Sequence, residues 1–513
     1  MRLRGTLKNV FTVGSFTALS RVLGLVREML QSRLVGAGME QSAFTLAFAI
    51  PNMSRKLFGE GALTAAFVPV FKGEVEREGL ERAEKLARAV ITMMMLMLAA
   101  VLVLVFIGMS FWTSWFADAM ADSYRLRTTV RLVAILLPYM LAICGAAFGM
   151  GVLNALGKFR AASFMPALLN VVWIAALVTL MFLPTVSLSA RVTFIAVAIL
   201  IGGFLQFGFM IRCMVREGIR PWPSFSGWRS DNVRLVWRNT AIAAVGAGAV
   251  QINYMLDQVL AQCASPWAAG VIGYAERLMD LPLGIVGVAF GTVLLPTFAG
   301  FFAQGDNDGA RKALVSAVEH LLFVMVPAAA GMFVLAPEIT AVIYEGNAFD
   351  SIATVRVSRA LAVYALGLGF FGFQKALIPW FQAQNDMRTP LRVSLCTVIL
   401  NAILNVLAVA LLPMEWRHVG LAASTDICAA AGCVLLATLA RRRNGSLGLH
   451  IVSGAILRIL FSSAVMVAAV MAVRVQLLCF GKLAALGGSV IIGSVTYFLI
   501  SLMMRKFDII RKI

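Results

Sequence analysis

An all-α integral membrane fold of roughly fourteen transmembrane helices is what this sequence predicts. Apolar residues fill 60% of its 513 positions and charged residues only 13%. A soluble domain carries about 25% charged residues and could not stay dissolved with so little polar surface. The apolar residues also come in unbroken runs near the ~20 that a helix needs to cross the hydrocarbon, where a β-barrel would alternate.

Spans are expected at residues 7–34, 41–71, 87–113, 126–155, 158–183, 190–213, 233–260, 265–300, 311–341, 352–383, 388–411, 417–440, 448–473 and 481–505. The loops between them alternate in charge. One set holds Lys72, Arg77, Arg82 and Lys85, then Lys158 and Arg160, then Arg212, Arg216, Arg220 and Arg229. It continues through Arg311 and Lys312, Arg388 and Arg392, and Arg441 to Arg443, and ends at Arg511 and Lys512. The other set is short and poor in Lys and Arg, with acids such as Asp122, Glu345 and Asp350. By the positive-inside bias both termini are expected in the cytoplasm, and the net charge of +19 is a matter of orientation, not of nucleic-acid binding. Arg125, Arg127, Arg356 and Arg359 stand on the wrong side of this scheme.

Seven scattered cysteines show no metal-ligand spacing, and His320, His418 and His450 lie far apart in sequence. The longest polar break, VREGIRPWPSFSGWRSDNV at 214–232, separates two stretches of weak self-similarity. LKNVFTVGSFTALSRVLGLVREML near the start aligns with WRNTAIAAVGAGAVQINYMLDQVL after the break, and FVPVF (67–71) with LLPTF (294–298). The expected organisation is a first six-helix lobe (1–213), a cytoplasmic linker (214–232), a second, pseudo-repeated six-helix lobe (233–440), and two C-terminal helices with a tail (441–513).

Charge inside the spans needs a reason, because an arginine at mid-span costs about 2.5–3.5 kcal/mol on insertion scales. The first span holds Arg21, Arg27 and Glu28, with Arg21 and Glu28 seven residues apart on one face and Arg27 about 100° round. The second holds Arg55, Lys56 and Glu60. The eighth holds Glu276, Arg277 and Asp280, with Arg277 within a turn of Asp280. Such residues can be helix ends reaching the interface, or internal ion pairs. Four guanidiniums against fewer nearby acids instead suggest a hydrated cationic cavity between two bundles, suited to an anionic, phosphate-bearing substrate. Pro51 with Gly59 and Gly61, and Pro282 with Gly284, Gly287 and Gly291, mark helices expected to bend or to pack closely.

SRVLGLVRE (20–28), GAGMEQSAF (36–44), PNMSRKLFGEGALTAAFVPVF (51–71) and YAERLMDLPLGIVGVAFGTVLLPTF (274–298) closely resemble the MurJ (MviN) family of lipid II flippases, within the superfamily of multidrug and polysaccharide exporters. The resemblance covers nearly the whole chain. It implies two six-helix lobes in a V, a groove for the polyprenyl tail along the last two helices, and movement of lipid II to the periplasmic leaflet of the bacterial inner membrane. It places Arg21, Arg27, Arg55 and Arg277 on the family's cavity arginines as contacts for the diphosphate. Glu28 stands where the family often has aspartate, and Ser42 where some members carry a functional one. It also implies a candidate sodium site of Asp257, Asn401, Asn405 and Thr425, with asparagine replacing a second carboxylate.

The implied protein is a carrier, not an enzyme, with no cofactor beyond a coupling cation, sodium or proton. Its implied partners are lipid II, membrane lipids and cell-wall synthesis proteins, with no nucleic acid. Exporters of drugs or of other lipid-linked oligosaccharides are the nearest alternative. A membrane glycosyltransferase would need catalytic carboxylates on a substantial outward loop, and no acid–base pair stands out. A scaffold for cell-wall assembly would leave the buried arginines without a purpose.

Overall fold

The computed structural model describes residues 2–59, 62–119, 123–448 and 452–510; Glu60, Gly61, Asp122, His450, Arg511 and Lys512 lie outside the described residues. Up to the long polar break the helices are α1 (Arg2–Val35), α2 (Met39–Ser54), a π-helical turn (Arg55–Gly59), α3 (Ala62–Glu78), α4 (Leu80–Ala119), α5 (Ser123–Leu136), α6 (Tyr139–Ala155), α7 (Phe159–Met181) and α8 (Leu188–Arg216). Beyond it come α9 (Asp231–Ala264), α10 (Ala268–Ala303), α11 (Asn307–Val334), α12 (Ala336–Tyr344), α13 (Ser351–Ala383), α14 (Arg388–Leu411), α15 (Arg417–Asn444), α16 (Val452–Leu477) and α17 (Lys482–Ile510). Among the described residues ten helices are long and apolar enough to cross a membrane. The chain is an all-α, multi-pass membrane protein.

Three expected spans are interrupted, each near a proline. The fourth breaks at Leu137–Pro138 between α5 and α6, and the ninth at Leu335, where Pro337 starts α12. Proline has no N–H to give a preceding turn, and it is tolerated where a helix begins. The second breaks into the π-turn four residues after Pro51. Pro282 and Pro296 do not interrupt α10, which runs unbroken through both.

The chain divides into two compact units, Met1–Gln262 with Gly346–Phe349, and Cys263–Glu345 with Asp350–Ile513. Most of α9, aligned in sequence with the first span, therefore packs in the first unit. The polar break belongs there too, and it is laid along α4. Arg88 Nε donates to the Trp222 carbonyl (3.2 Å), Ser224 N to Thr92 Oγ1 (2.9 Å) and Arg220 N to Glu84 Oε1 (3.2 Å).

Lipid tails are as apolar as leucine, so helix association in a bilayer rests on close packing and not on leaving water. The first unit's core packs Phe67 at a tilt against Phe148 (4.7 Å between centroids) and sets Phe44 edge-on to Trp173 (5.7 Å). Gly203 lets α8 approach α6, since a Cβ there would lie 2.3 Å from the Tyr139 ring. In the second unit α13 is central, packing on α10, α11 and α15. The α16–α17 pair packs on α11, where Tyr497 Oη donates to the Phe323 carbonyl (2.8 Å).

Candidate functional site

Arg27 lies well along α1, where that helix packs on α7. Its Nη2 meets Glu28 Oε1 at 2.6 Å, its Nη1 donates to Asn170 Oδ1 at 2.9 Å, and its guanidinium lies 4.2 Å from the centre of the Trp173 ring. Asn170 Nδ2 in turn donates to the Ser20 carbonyl (3.0 Å), so one amide ties α7 to α1 and orients the arginine. Asn170 and Trp173 are three residues apart on α7, which puts the amide and the indole on one face. Glu28 is 5% exposed. A carboxylate so buried is stabilised by its cation, and the indole face adds about 0.5–2 kcal/mol to holding that cation. The long arginine stem spans the 100° separating neighbours on the helix, so Arg27 is the partner of Glu28. Arg21, on the Glu28 face by spacing, is exposed.

Arg55 opens the π-turn that follows Pro51, and its Nε and Nη2 share Asn52 Oδ1 at 3.2 and 3.0 Å. A π-turn adds a residue to the local turn and re-aims the side chains around it, a device frequent at functional sites. Lys56 is exposed, its ammonium 5.3 Å from the centre of the Tyr254 ring. Ser42 is buried, and its carbonyl accepts from Gln262 Nε2 at 2.6 Å.

Gln262 also accounts for one arginine on the wrong side. Arg125 Nη2 donates to both its backbone carbonyl and its Oε1. Arg356 and Arg359 lie over the rings of Trp267 (3.9 Å) and Trp416 (4.6 Å). Each of these three guanidiniums thus has a packing partner within the protein, which loop charge alone does not explain.

In the second unit Arg277 is half-buried on α10. Its neighbour Glu276 accepts from Tyr364 Oη (3.4 Å), a bond that ties α10 to α13. Asn401 and Asn405 are 2% and 1% exposed, one turn apart on α14, against α15, which carries Thr425. The Thr425 hydroxyl donates to the Leu421 carbonyl (3.2 Å), so its oxygen can still serve a cation. Asp257, on α9 in the first unit, accepts from Asn253 Nδ2 (3.3 Å). Each of the four carries a hard oxygen of the kind a small cation prefers, an acid in the first unit and three neutral groups in the second. No cluster of three His, Cys, Asp or Glu that could hold a metal occurs among the described residues.

The second unit also encloses an apolar cavity of about 450 Å³, lined among others by Leu278 and Pro282 of α10, Pro327 and Gly331 of α11, Val470 of α16 and Tyr497 of α17. The last two helices thus contribute side chains to an apolar hollow.

Sequence reasoning missed Asn170 and Trp173. An amide alone in the apolar stretch 158–183 was the available signal. It also missed Asp426, a buried acid on α15 pressed against Gly367 of α13.

Known proteins resemble the chain over most of its length. The family model described as lipid II flippase MurJ matches residues 31–496. A probable lipid II flippase MurJ of Rhizobium tropici is 34% identical over 78% of this chain and 75% of its own. A lipid II flippase MurJ of Burkholderia cenocepacia is 31% identical over 85% and 83%. Among solved structures, a lipid II flippase MurJ in an inward closed conformation superposes with a TM-score of 0.78 at 23% identity, over 97% of this chain and 99% of that one. An inward-facing multidrug resistance MATE family transporter of the MOP superfamily shares the fold, with a TM-score of 0.68 at 15% identity over 85% and 98%. The chain belongs to the lipid II flippase MurJ family.

Proposed function

We propose that this protein is a flippase that carries lipid II from the cytoplasmic to the periplasmic leaflet of the bacterial inner membrane by alternating access, with both termini in the cytoplasm. It acts as a carrier and makes or breaks no covalent bond. The observation that carries the reading is the Arg27 assembly. A guanidinium held by an amide, an indole and one acid is oriented in advance, and a diphosphate offers it more negative charge and more acceptor oxygens than a single carboxylate does. Arg21, Arg55 and Arg277 supply the further charge that a diphosphate needs, and Glu28 keeps Arg27 in place while the substrate is absent. The polyprenyl tail matches the chemistry of the apolar cavity lined by α10, α11, α16 and α17.

An inside-negative potential favours outward movement of the anionic head by about 2.3 kcal/mol per charge per 100 mV. Arginines travelling with the head would reduce that gain, so the potential acts mainly on resetting the empty carrier. Asp257, Asn401, Asn405 and Thr425 would hold sodium as the coupling cation, with a single carboxylate making the hold weak.

The test is complementation of cells depleted of their lipid II flippase, together with labelling of lipid II on the outer leaflet. Wild-type protein restores both, and Arg277→Ala restores neither. Unchanged translocation in Arg277→Ala would sink the arginine mechanism, and failure of the wild type would sink the lipid II assignment.

A further inference from the structure

A small polar pocket of about 220 Å³ lies at the basic end of the second unit, lined by Asn307 and Arg311 of α11, Trp380 of α13, and Arg443 and Asn444 of α15. Two guanidiniums, two amides and an indole face it, and no carboxylate is among the lining. The walls are tied together through Asn444. Its carbonyl accepts from Arg311 Nη2 (2.6 Å), its Oδ1 from Trp380 Nε1 (3.3 Å), and its Nδ2 donates to Gln384 Oε1 (3.0 Å). The pocket is therefore held open by hydrogen bonds between residues 60 to 133 positions apart in the chain.

Its cations are only partly neutralised. Arg443 pairs with Asp386 at 2.5 Å, and Arg311 Nη1 pairs with Asp308 at 3.2 Å. The Asp308 side chain is 81% exposed, and so open an ion pair is worth little and is readily exchanged. Arg311 Nε is enclosed and has no hydrogen-bond partner. Lys312, Arg388, Arg441 and Arg442 are exposed at the same end and add to its positive field.

We propose that this pocket binds the phosphodiester headgroup of an anionic phospholipid. Basic pockets between transmembrane helices suit such headgroups, and the two guanidiniums of Arg311 and Arg443 in its lining suit phosphate oxygens. The buried Trp380 supplies the pocket's apolar floor, packing edge-on to Phe298 (5.5 Å) and Phe302 (5.0 Å). The site is separate from the arginines assigned to lipid II, and its occupancy would brace the connections between α11, α13 and α15.

Native mass spectrometry of the full-length protein in a non-ionic detergent tests this, with short-chain phosphatidylglycerol, phosphatidylcholine and inorganic phosphate as probes. Phosphatidylglycerol is expected to bind and phosphatidylcholine not. Arg311→Gln with Arg443→Gln should weaken binding about tenfold or more, the loss of a charged hydrogen bond. Asp308→Asn removes only an exposed competitor for Arg311 and should tighten binding, which keeps the test alive if the double variant fails to fold. Equal binding of phosphatidylglycerol by wild type, double variant and Asp308→Asn overturns the site. Inorganic phosphate competing at equal concentration overturns the lipid as its source.

Discussion

Arg27 and Arg356 look alike at first contact, each a guanidinium stacked on a tryptophan within a membrane helix, at 4.2 and 3.9 Å. Their other neighbours differ. Arg27 has a buried acid and an amide, and it sits deep along α1. Arg356 stands five residues into α13, where its stem can reach the helix end. A tryptophan under an arginine is thus compatible with two roles. The polar partners separate them, because an arginine in contact with a carboxylate can pass its hydrogen bonds to an incoming anion, whereas Arg356 has Asp350 and Glu415 nearby but makes an ion-pair contact with neither.

Arg27→Ala is the sharpest way to break this comparison. It removes two charged hydrogen bonds, so lipid II translocation should fall about a hundredfold or more at matched protein abundance. Arg27→Lys keeps the charge but cannot fork between Glu28 and Asn170, and it should recover only part of the loss. Translocation at the wild-type rate in Arg27→Ala, measured by outer-leaflet labelling, would assign Arg27 to structure alone.

A second test concerns acids. Glu28 has a cation in contact, whereas the buried Asp426 has none in ion-pair contact and lies against Gly367. A Cβ at residue 367 would lie 2.1 Å from Asp426 Oδ1. Gly367→Ala should therefore cost about 1–3 kcal/mol by overpacking. Asp426→Ala in the same chain should return most of it, as read by unfolding in detergent across the double-mutant cycle. Additive losses would show that the two residues do not press on each other.

The charged half of this picture was legible in the sequence, because charge inside an apolar run stands out at any position. Arg27, Glu28, Arg55 and Arg277 announce themselves in that way, and the spans around them follow from run length. The partners do not. Trp173 is one apolar residue among many, and Asn170 becomes meaningful only once α7 lies on α1. Pro51 signals a distortion but not its form, since a kink and a π-turn both answer a missing N–H. The polar pocket could not be read at all, because Asn307, Trp380 and Asn444 meet only through the packing of α11, α13 and α15.

Arg356→Ala probes the other side of the opening comparison. Losing the indole contact should cost about 0.5–2 kcal/mol of stability and leave translocation unchanged. A melting temperature in detergent, read beside outer-leaflet labelling, separates the two. A translocation defect at wild-type stability would bring Arg356 into the transport machinery and erase its contrast with Arg27.

The smallest effect belongs to the solvent-side counterpart of the Arg27–Glu28 pair, Asp386 between α13 and α14 with Arg443 of α15. Burial alone would raise the Asp386 carboxyl. Hydrogen bonds from the Thr389 hydroxyl and backbone, the charge of Arg443 and the Arg388 backbone together outweigh it and hold the carboxyl below its ordinary range. A folded-state value below the unfolded one makes the ionised acid stabilising. That stability is fully present above about pH 4, the ordinary aspartate value, and is lost as pH falls through the lower folded value. With Arg443 51% exposed, the ion pair itself is worth under about 1 kcal/mol. Asp386→Asn should flatten this acid limb of the stability profile while leaving neutral-pH translocation intact. A profile unchanged by the substitution would mean that Arg443 and Thr389 do not hold the carboxylate, and the likeness to Arg27–Glu28 would then be one of geometry alone.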